Sequence, residues 1–132
     1  MTYRQAIEEY HALVSLDGIR NDKGQVVKPF KFKAFERLQF ARRLKNLTEI
    51  LQEHDQARLA KVKELDILGK NENECDPEVW REFQKFIEEI NSQDCGLHPM
   101  KWKPAQMNLE ENDIPITALT ILLDMDGEGA RA

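Results

Sequence analysis

The sequence predicts a mainly α fold, a helical hairpin or bundle with one long central helix, a short extended arm and a small C-terminal helix. Three observations carry that prediction. Apolar residues recur at offsets of three and four in several separate segments, which is the pattern of a helix with one buried face. No Pro or Gly interrupts residues 30–68, so nothing there stops a helix. Asp76-Pro77-Glu78 is a helix start, with a capping side chain, Pro at the first helical position and an acid near the positive end of the dipole.

Tyr3, Ala6, Ile7, Tyr10, Leu13, Val14 and Leu16 predict a first amphipathic helix over residues 2–16. Thr2 caps it, and Asp17-Gly18 supplies the stop, with Gly18 expected in the left-handed conformation that ends helices. Residues 19–27, with the polar run Asn21-Asp22-Lys23-Gly24 between apolar pieces, read as a turn or small hairpin. Pro29 keeps Lys28 extended, and a helical period runs from about Phe32 for some thirty-five residues. Phe35, Leu38 and Ala41 share one face of this second helix and are expected in the core. Further along, His54 and Arg58 fall where a strict apolar stripe needs apolar groups, which argues against a long uninterrupted coiled coil.

The polar run 69–76 breaks the chain before a third helix whose buried face is Val79, Trp80, Phe83, Phe86, Ile87 and Ile90, ending near Asn91. Residues 97–114, with Pro99, Pro104 and Met100 and Trp102 alternating with lysines, predict an extended arm. Pro115 then opens a last helix, Ile116 to Met125, before a loose tail.

At 132 residues with 41% hydrophobic content, the chain has the size and apolar surface of one folded domain. Residues 1–68 form its basic helical hairpin and 69–132 its acidic helix, arm and C-terminal helix. No apolar run approaches a membrane span or signal peptide, so a soluble, cytoplasmic protein is expected. Cys75 and Cys95 are too few for a disulfide scaffold and are expected as free thiols.

The chemical motifs are incomplete. Asp124-Met125-Asp126-Gly127-Glu128-Gly129 opens like a calcium loop, but the sequence supplies no bidentate acid at the twelfth position. Cys75, Cys95 and His98 lack the paired spacing of a zinc site. Nothing sets a base or an oxyanion hole beside a nucleophile, and no phosphate loop or paired catalytic carboxylates stand out. No enzyme activity, cofactor or metal is expected.

Charge is more informative. Between Lys28 and Lys45 lie seven basic residues, Lys28, Lys31, Lys33, Arg37, Arg42, Arg43 and Lys45, against Glu36 alone, with Phe30, Phe32, Phe35 and Phe40 interleaved. That cluster is either a solvated face or an anion site, with Lys31, Lys33, Arg37, Arg42, Arg43 and Lys45 gripping phosphate. A net charge of -5 disfavours a simple nucleic-acid binder. It is the difference between two unlike halves. Residues 1–63 carry 13 basic and 8 acidic side chains, whereas 64–132 carry 6 and 16. The acidic half suits a basic partner surface through a salt-sensitive interface, and Glu82, Glu88 and Glu89, with His54 and Arg58 on the long helix, are the expected partner-binding residues.

The helices reading Ala6-Ile7-Glu8-Glu9-Tyr10-His11-Ala12-Leu13, Leu38-Gln39-Phe40-Ala41-Arg42-Arg43-Leu44-Lys45-Asn46-Leu47 and Phe83-Gln84-Lys85-Phe86-Ile87-Glu88-Glu89-Ile90, with the closing Pro115-Ile116-Thr117-Ala118-Leu119, resemble a family of small bacteriophage-encoded helical proteins with a domain of unknown function. The loop from Gly18 to Lys28 departs from it in being longer. The resemblance implies a phage setting and assigns no site residues. The expectation that follows is a non-catalytic accessory protein acting by stoichiometric binding to a host or phage protein, such as a host defence or nucleic-acid-processing enzyme. Alternatives are a virion or tail-assembly component and a sequestering protein for a phosphorylated ligand or nucleotide held by the basic cluster. The long helix also predicts a homo-oligomer.

Overall fold

The structure, a computed structural model, describes residues 1–124. Helix α1, Tyr3–Val14, begins on Thr2, whose Oγ1 accepts from the Gln5 N–H while the Gln5 side chain accepts from the Thr2 N–H. This reciprocal box satisfies two donors that a helix start leaves unpaired. A 3-10 turn, Ser15–Asp17, leads into strand β1, Gly18–Arg20, which pairs antiparallel with β2, Val26–Pro29. Gly18 opposes Pro29, Ile19 opposes Lys28, and the register slips at Arg20, which opposes Val26. The expected hairpin is therefore present, and Gly18 ends the 3-10 turn at positive φ, but outside the left-handed helical conformation. Its φ of 155° (ψ -175°) is one that residues with a side chain rarely adopt, and a Cβ there would lie 2.5 Å from the Lys28 carbonyl oxygen. The glycine admits the opposite strand.

Helix α2, Ala34–Glu64, has 31 residues and spans about 46 Å. Its buried residues are Phe40, Arg43, Leu47 and Val62. Here the expected core face needs correction, because Phe35, Leu38 and Ala41 are exposed, Phe35 by 63%. The space they were expected to fill is taken from the other side of the helix. Phe40 stacks edge-on between Phe32 and Trp102, at centroid distances of 4.9 and 4.6 Å, and Phe30 is buried beside them in the same core.

Helix α3, Pro77–Asn91, is capped by Asp76, whose Oδ1 accepts from the Glu78 N–H at 2.9 Å. The segment after it meets the start of the chain. Tyr3 N donates to Gln93 O, Cys95 N donates to Met1 O, both at 2.9 Å, and Thr2 and Asp94 form an antiparallel bridge.

The arm that follows is extended apart from one short helix, α4, Pro104–Met107, which the sequence reading lacked. Pro104 at the first position starts α4, and left-handed Asn108 ends it after one turn. Helix α5, Ile116–Leu122, is shorter than expected. It stops because Leu123 turns extended to bridge Trp102, with Trp102 N donating to Leu122 O at 2.7 Å and Asp124 N to Trp102 O at 2.9 Å. The rest of the calcium-like run after Asp124 lies outside the described residues.

One apolar cluster holds these parts together. Ala6, Leu13 and Leu16 meet Phe30, Phe40 and Leu47, while Trp102, Met107, Ile114, Ala118 and Leu122 close the other side. No residue of α3 belongs to it. Among the described residues, no helix is long and apolar enough to cross a membrane.

Candidate functional site

Two anchors hold the arm, one to α2 and one to Lys31 in the segment before it, and grooves lie between them. The first is a buried ion pair. Arg43 Nε donates to Glu9 Oε2 at 2.5 Å and its Nη2 to Glu9 Oε1 at 3.2 Å and to the His98 carbonyl at 2.6 Å. Met100 N donates to the same Glu9 Oε1 at 3.1 Å. Arg43 and Glu9 are only 7% and 4% exposed, so one pair fastens α1, α2 and the beginning of the arm. The second anchor is Asn112, also buried. Its Oδ1 accepts from Lys31 N at 2.6 Å, and its Nδ2 donates to Lys31 O at 2.8 Å. Asn108 Nδ2 donates to that same carbonyl at 2.8 Å.

Between the anchors the arm packs on α2 through Trp102, whose ring lies 4.6 Å from that of Phe40. Gln39, Arg42, Arg43 and Asn46 from α2 face Met100, Lys101, Trp102 and Gln106 across a groove of about 380 Å³. A second groove of about 460 Å³ shares Gln106 and continues toward Lys31, Phe32, Lys33, Glu36 and Glu111. The end near Arg42 is rich in donors, and the end near Glu36 and Glu111 is mixed in charge.

Four buried side-chain polar atoms among the described residues have no hydrogen-bond partner, Glu36 Oε2, Gln39 Oε1, Trp80 Nε1 and Trp102 Nε1. Three of the four belong to residues that line this cleft. Each such atom costs about 1–3 kcal/mol relative to a paired one, and all four are closed off from solvent.

The structure sorts the expected anion-binding residues. Lys31, Lys33, Arg42 and Arg43 line the cleft. Arg43 serves as a wall, since Glu9 already neutralises it, whereas Lys31, Lys33 and Arg42 form no ion pair with any described residue. Arg37 is committed elsewhere, with Nη2 donating to the Phe30 carbonyl at 2.5 Å and its guanidinium 5.8 Å from the Phe32 ring centre. Lys45 is exposed and does not line the cleft. Lys101, Trp102, Gln39, Asn46 and Gln106 escaped the sequence reading. Gln39 and Asn46 share a helical strip with Phe35 and Arg42, a spacing of four, three and four, and that strip was the available signal for two of them.

The expected partner-binding residues occupy a different part of the molecule. His54 Nε2 lies 2.6 Å from Asn91 Oδ1, and its ring packs 5.5 Å from Tyr3, so it joins α1, α2 and α3. Beside it, burial pushes the Tyr3 phenol above its ordinary pKa, and the Glu53 carboxylate adds to the effect. Arg58 is paired with Asp55 at 2.9 Å on its own helix. Glu82, Glu88 and Glu89 are exposed on α3. Glu82 Oε1 lies 3.6 Å from Lys61 Nζ, which also meets Glu64 at 3.0 Å and lies 5.4 Å from the Phe86 ring centre. Its hydrogen bond to Glu64 raises the Lys61 pKa, and Glu82 reinforces that.

Val79, Trp80, Phe83, Phe86, Ile87 and Ile90 of α3 are all half-buried, and none is fully covered. The thiols of Cys75 and Cys95 are free, Cys95 buried and Cys75 half-buried. No three metal-ligating side chains cluster among the described residues. Compared with known proteins, the chain matches no family model, no curated protein and no solved structure.

Proposed function

We propose that this protein acts without catalysis, by stoichiometric binding to a basic surface on another protein, and that α3 is the element that docks. The single observation that supports this reading is the state of α3. It has the strongest two-faced pattern of the helices, yet α2 covers its apolar stripe only in part. An apolar stripe beside acidic groups favours a partner that is apolar at its centre and basic at its rim. Residues 72–89 supply seven acidic side chains, Glu72, Glu74, Asp76, Glu78, Glu82, Glu88 and Glu89, against Arg81 and Lys85. The phage setting and a host enzyme as target, with action in the host cytoplasm, rest on the family resemblance and belong to the same proposal.

The test is affinity capture from phage-infected cells with the wild-type chain and with E82K/E88K/E89K. Support is one protein with a basic surface, bound in fixed ratio by the wild type and by R42E, lost in the triple variant and released as salt rises. An identical set captured by all three chains overturns the reading. Sedimentation of the purified chain checks the other occupant, a second copy. A dimer that dissociates in the triple variant assigns α3 to self-association and overturns the heterologous reading.

A further inference from the structure

We infer that the outward face of α2 pairs with the same face of a second copy of this chain, antiparallel, about a twofold axis that passes between Lys45 and Glu49. The residues it uses are not those that join α2 to α1 and α3, namely Arg43, His54 and Lys61, so it stands or falls separately from docking on α3.

The spacing of the exposed side comes first. Phe35, Leu38, Arg42, Lys45, Glu49 and Gln52 follow one another at alternating steps of three and four, and every one is exposed, while Phe40 and Leu47 on the opposite side are buried. Gln56 and the half-buried Leu59 continue the same steps. Such a repeat makes a straight seam along which a second helix can lie. Ala34, Ala41 and Thr48 run beside it, and side chains that small let two helices come close. Phe35 at 63% and Leu38 at 48% exposure put apolar surface at one end of the seam, and Leu59 with the exposed Ala60 puts it at the other.

Charge then sets the direction. A parallel copy would stack Arg42, Lys45 and Glu49 each on its own counterpart, and like charges face to face repel. An antiparallel copy centred between Lys45 and Glu49 sets Lys45 against the partner's Glu49 and, by the twofold, Glu49 against the partner's Lys45. Neither side chain forms an ion pair within its own chain among the described residues. The same register lays Phe35 on the partner's Leu59 and the partner's Ala60, so the two apolar ends cover each other.

Neighbouring registers lose this match. A slide of one heptad in one direction sets Arg42 against the partner's Lys45, and a slide in the other sets Leu38 against the partner's Lys63. A face that is complementary to itself in one register singles out a second copy as its occupant. Its polar middle specifies orientation at a cost in affinity, so dimers are expected to form in the micromolar range.

Sedimentation equilibrium of the full chain from about 1 μM to about 1 mM tests the inference. A monomer–dimer equilibrium that weakens as salt rises is expected. K45E and E49K each turn two attractive pairs into repulsive ones and are expected to weaken the dimer about tenfold, whereas K45E/E49K exchanges the charges and restores it. F35A is expected to weaken it about tenfold by removing apolar contact at both ends. All three side chains are exposed, and the helical circular-dichroism signal of dilute samples certifies that each variant is folded. A chain that stays monomeric at about 1 mM overturns the inference. So do single variants equal to wild type, or a double variant no tighter than either single one. A dimer indifferent to K45E and lost in E82K/E88K/E89K overturns it as well, by assigning self-association to α3. A monomer that still captures a partner through α3 removes this inference alone, and a dimer that captures nothing removes only the docking proposal.

Discussion

Burying a guanidinium and a carboxylate costs several kcal/mol per ion unless each is fully hydrogen-bonded, and Glu9 with Arg43 meets that condition through Met100 N and the His98 carbonyl. Removing one partner leaves a buried charge unpaired. Arg43→Met is therefore expected to destabilise the fold by about 3–5 kcal/mol, read from urea unfolding, whereas Glu9→Leu combined with Arg43→Met should lose clearly less than the two single losses added. Equal losses would mean that the pair carries no coupling. Asp94 makes a smaller, pH-dependent contribution. Its Oδ1 accepts from Gly96 N at 2.9 Å, and the Met1 amino group lies 3.6 Å away. The backbone bond first, and that positive charge second, hold the carboxyl below its ordinary value of 3.8. A lowered folded pKa gives stability that is present above the ordinary value and lost as pH falls through the lowered one. Asp94→Asn should flatten the fall in stability below about pH 4 and leave its dependence near neutrality unchanged, as measured by thermal unfolding across an acid pH series.

At the scale of elements, legibility in the sequence followed the chemistry of the signals. α3 was readable to the residue at its start because Asp76, Pro77 and Glu78 act locally, through a side-chain cap and a fixed φ. The face of α2 was misread because Phe35, Leu38 and Ala41 have the right period, and only the long-range packing of Trp102 and Phe32 on Phe40 selects the opposite side. The cleft was half legible for the same reason. Its α2 residues lie close together in sequence, whereas Lys101 and Trp102 reach it only because Glu9 and Asn112 pin the arm more than eighty residues away from their partners. Gly18 shows the same limit. Helix-stop chemistry places a glycine there, and Gly18 does end the 3-10 turn, but the strand opposite also requires it to lack a side chain. Gly18→Ala places a Cβ 2.5 Å from the Lys28 oxygen and 2.8 Å from Pro29 Cα, both backbone atoms that cannot rotate away. The expected cost is about 1–3 kcal/mol, with loss of the amide protections of β1 and β2 in hydrogen exchange. A neutral Gly18→Ala would show that the hairpin separates freely from α1.

Across the whole molecule, stability is distributed unevenly along α2. Phe40, Arg43 and Leu47 are buried against α1 and the arm, and the apolar cluster takes its last α2 contribution from Leu51. Beyond that point the C-terminal part of α2 is joined to α3 by half-buried contacts, the Lys61 contacts to Glu82 and Phe86, and the His54–Asn91 hydrogen bond. Local opening free energy follows buried apolar contact, so an element with no buried residue opens below the global transition. Amides of Trp80–Ile90 should therefore exchange faster than those of Ala6–Leu13 and Phe40–Leu47 in native-state hydrogen exchange, and His54→Ala should widen the difference by removing the bond to Asn91. Uniform protection over all three segments would mean that α3 shares the core's cooperativity. That outcome would also remove the incompletely covered stripe on which partner docking rests. Docking of a partner on α3 makes the complementary prediction. A ligand that binds only the folded helix raises the free energy of its opening by mass action, so protection should increase selectively in Trp80–Ile90 when the captured partner is added.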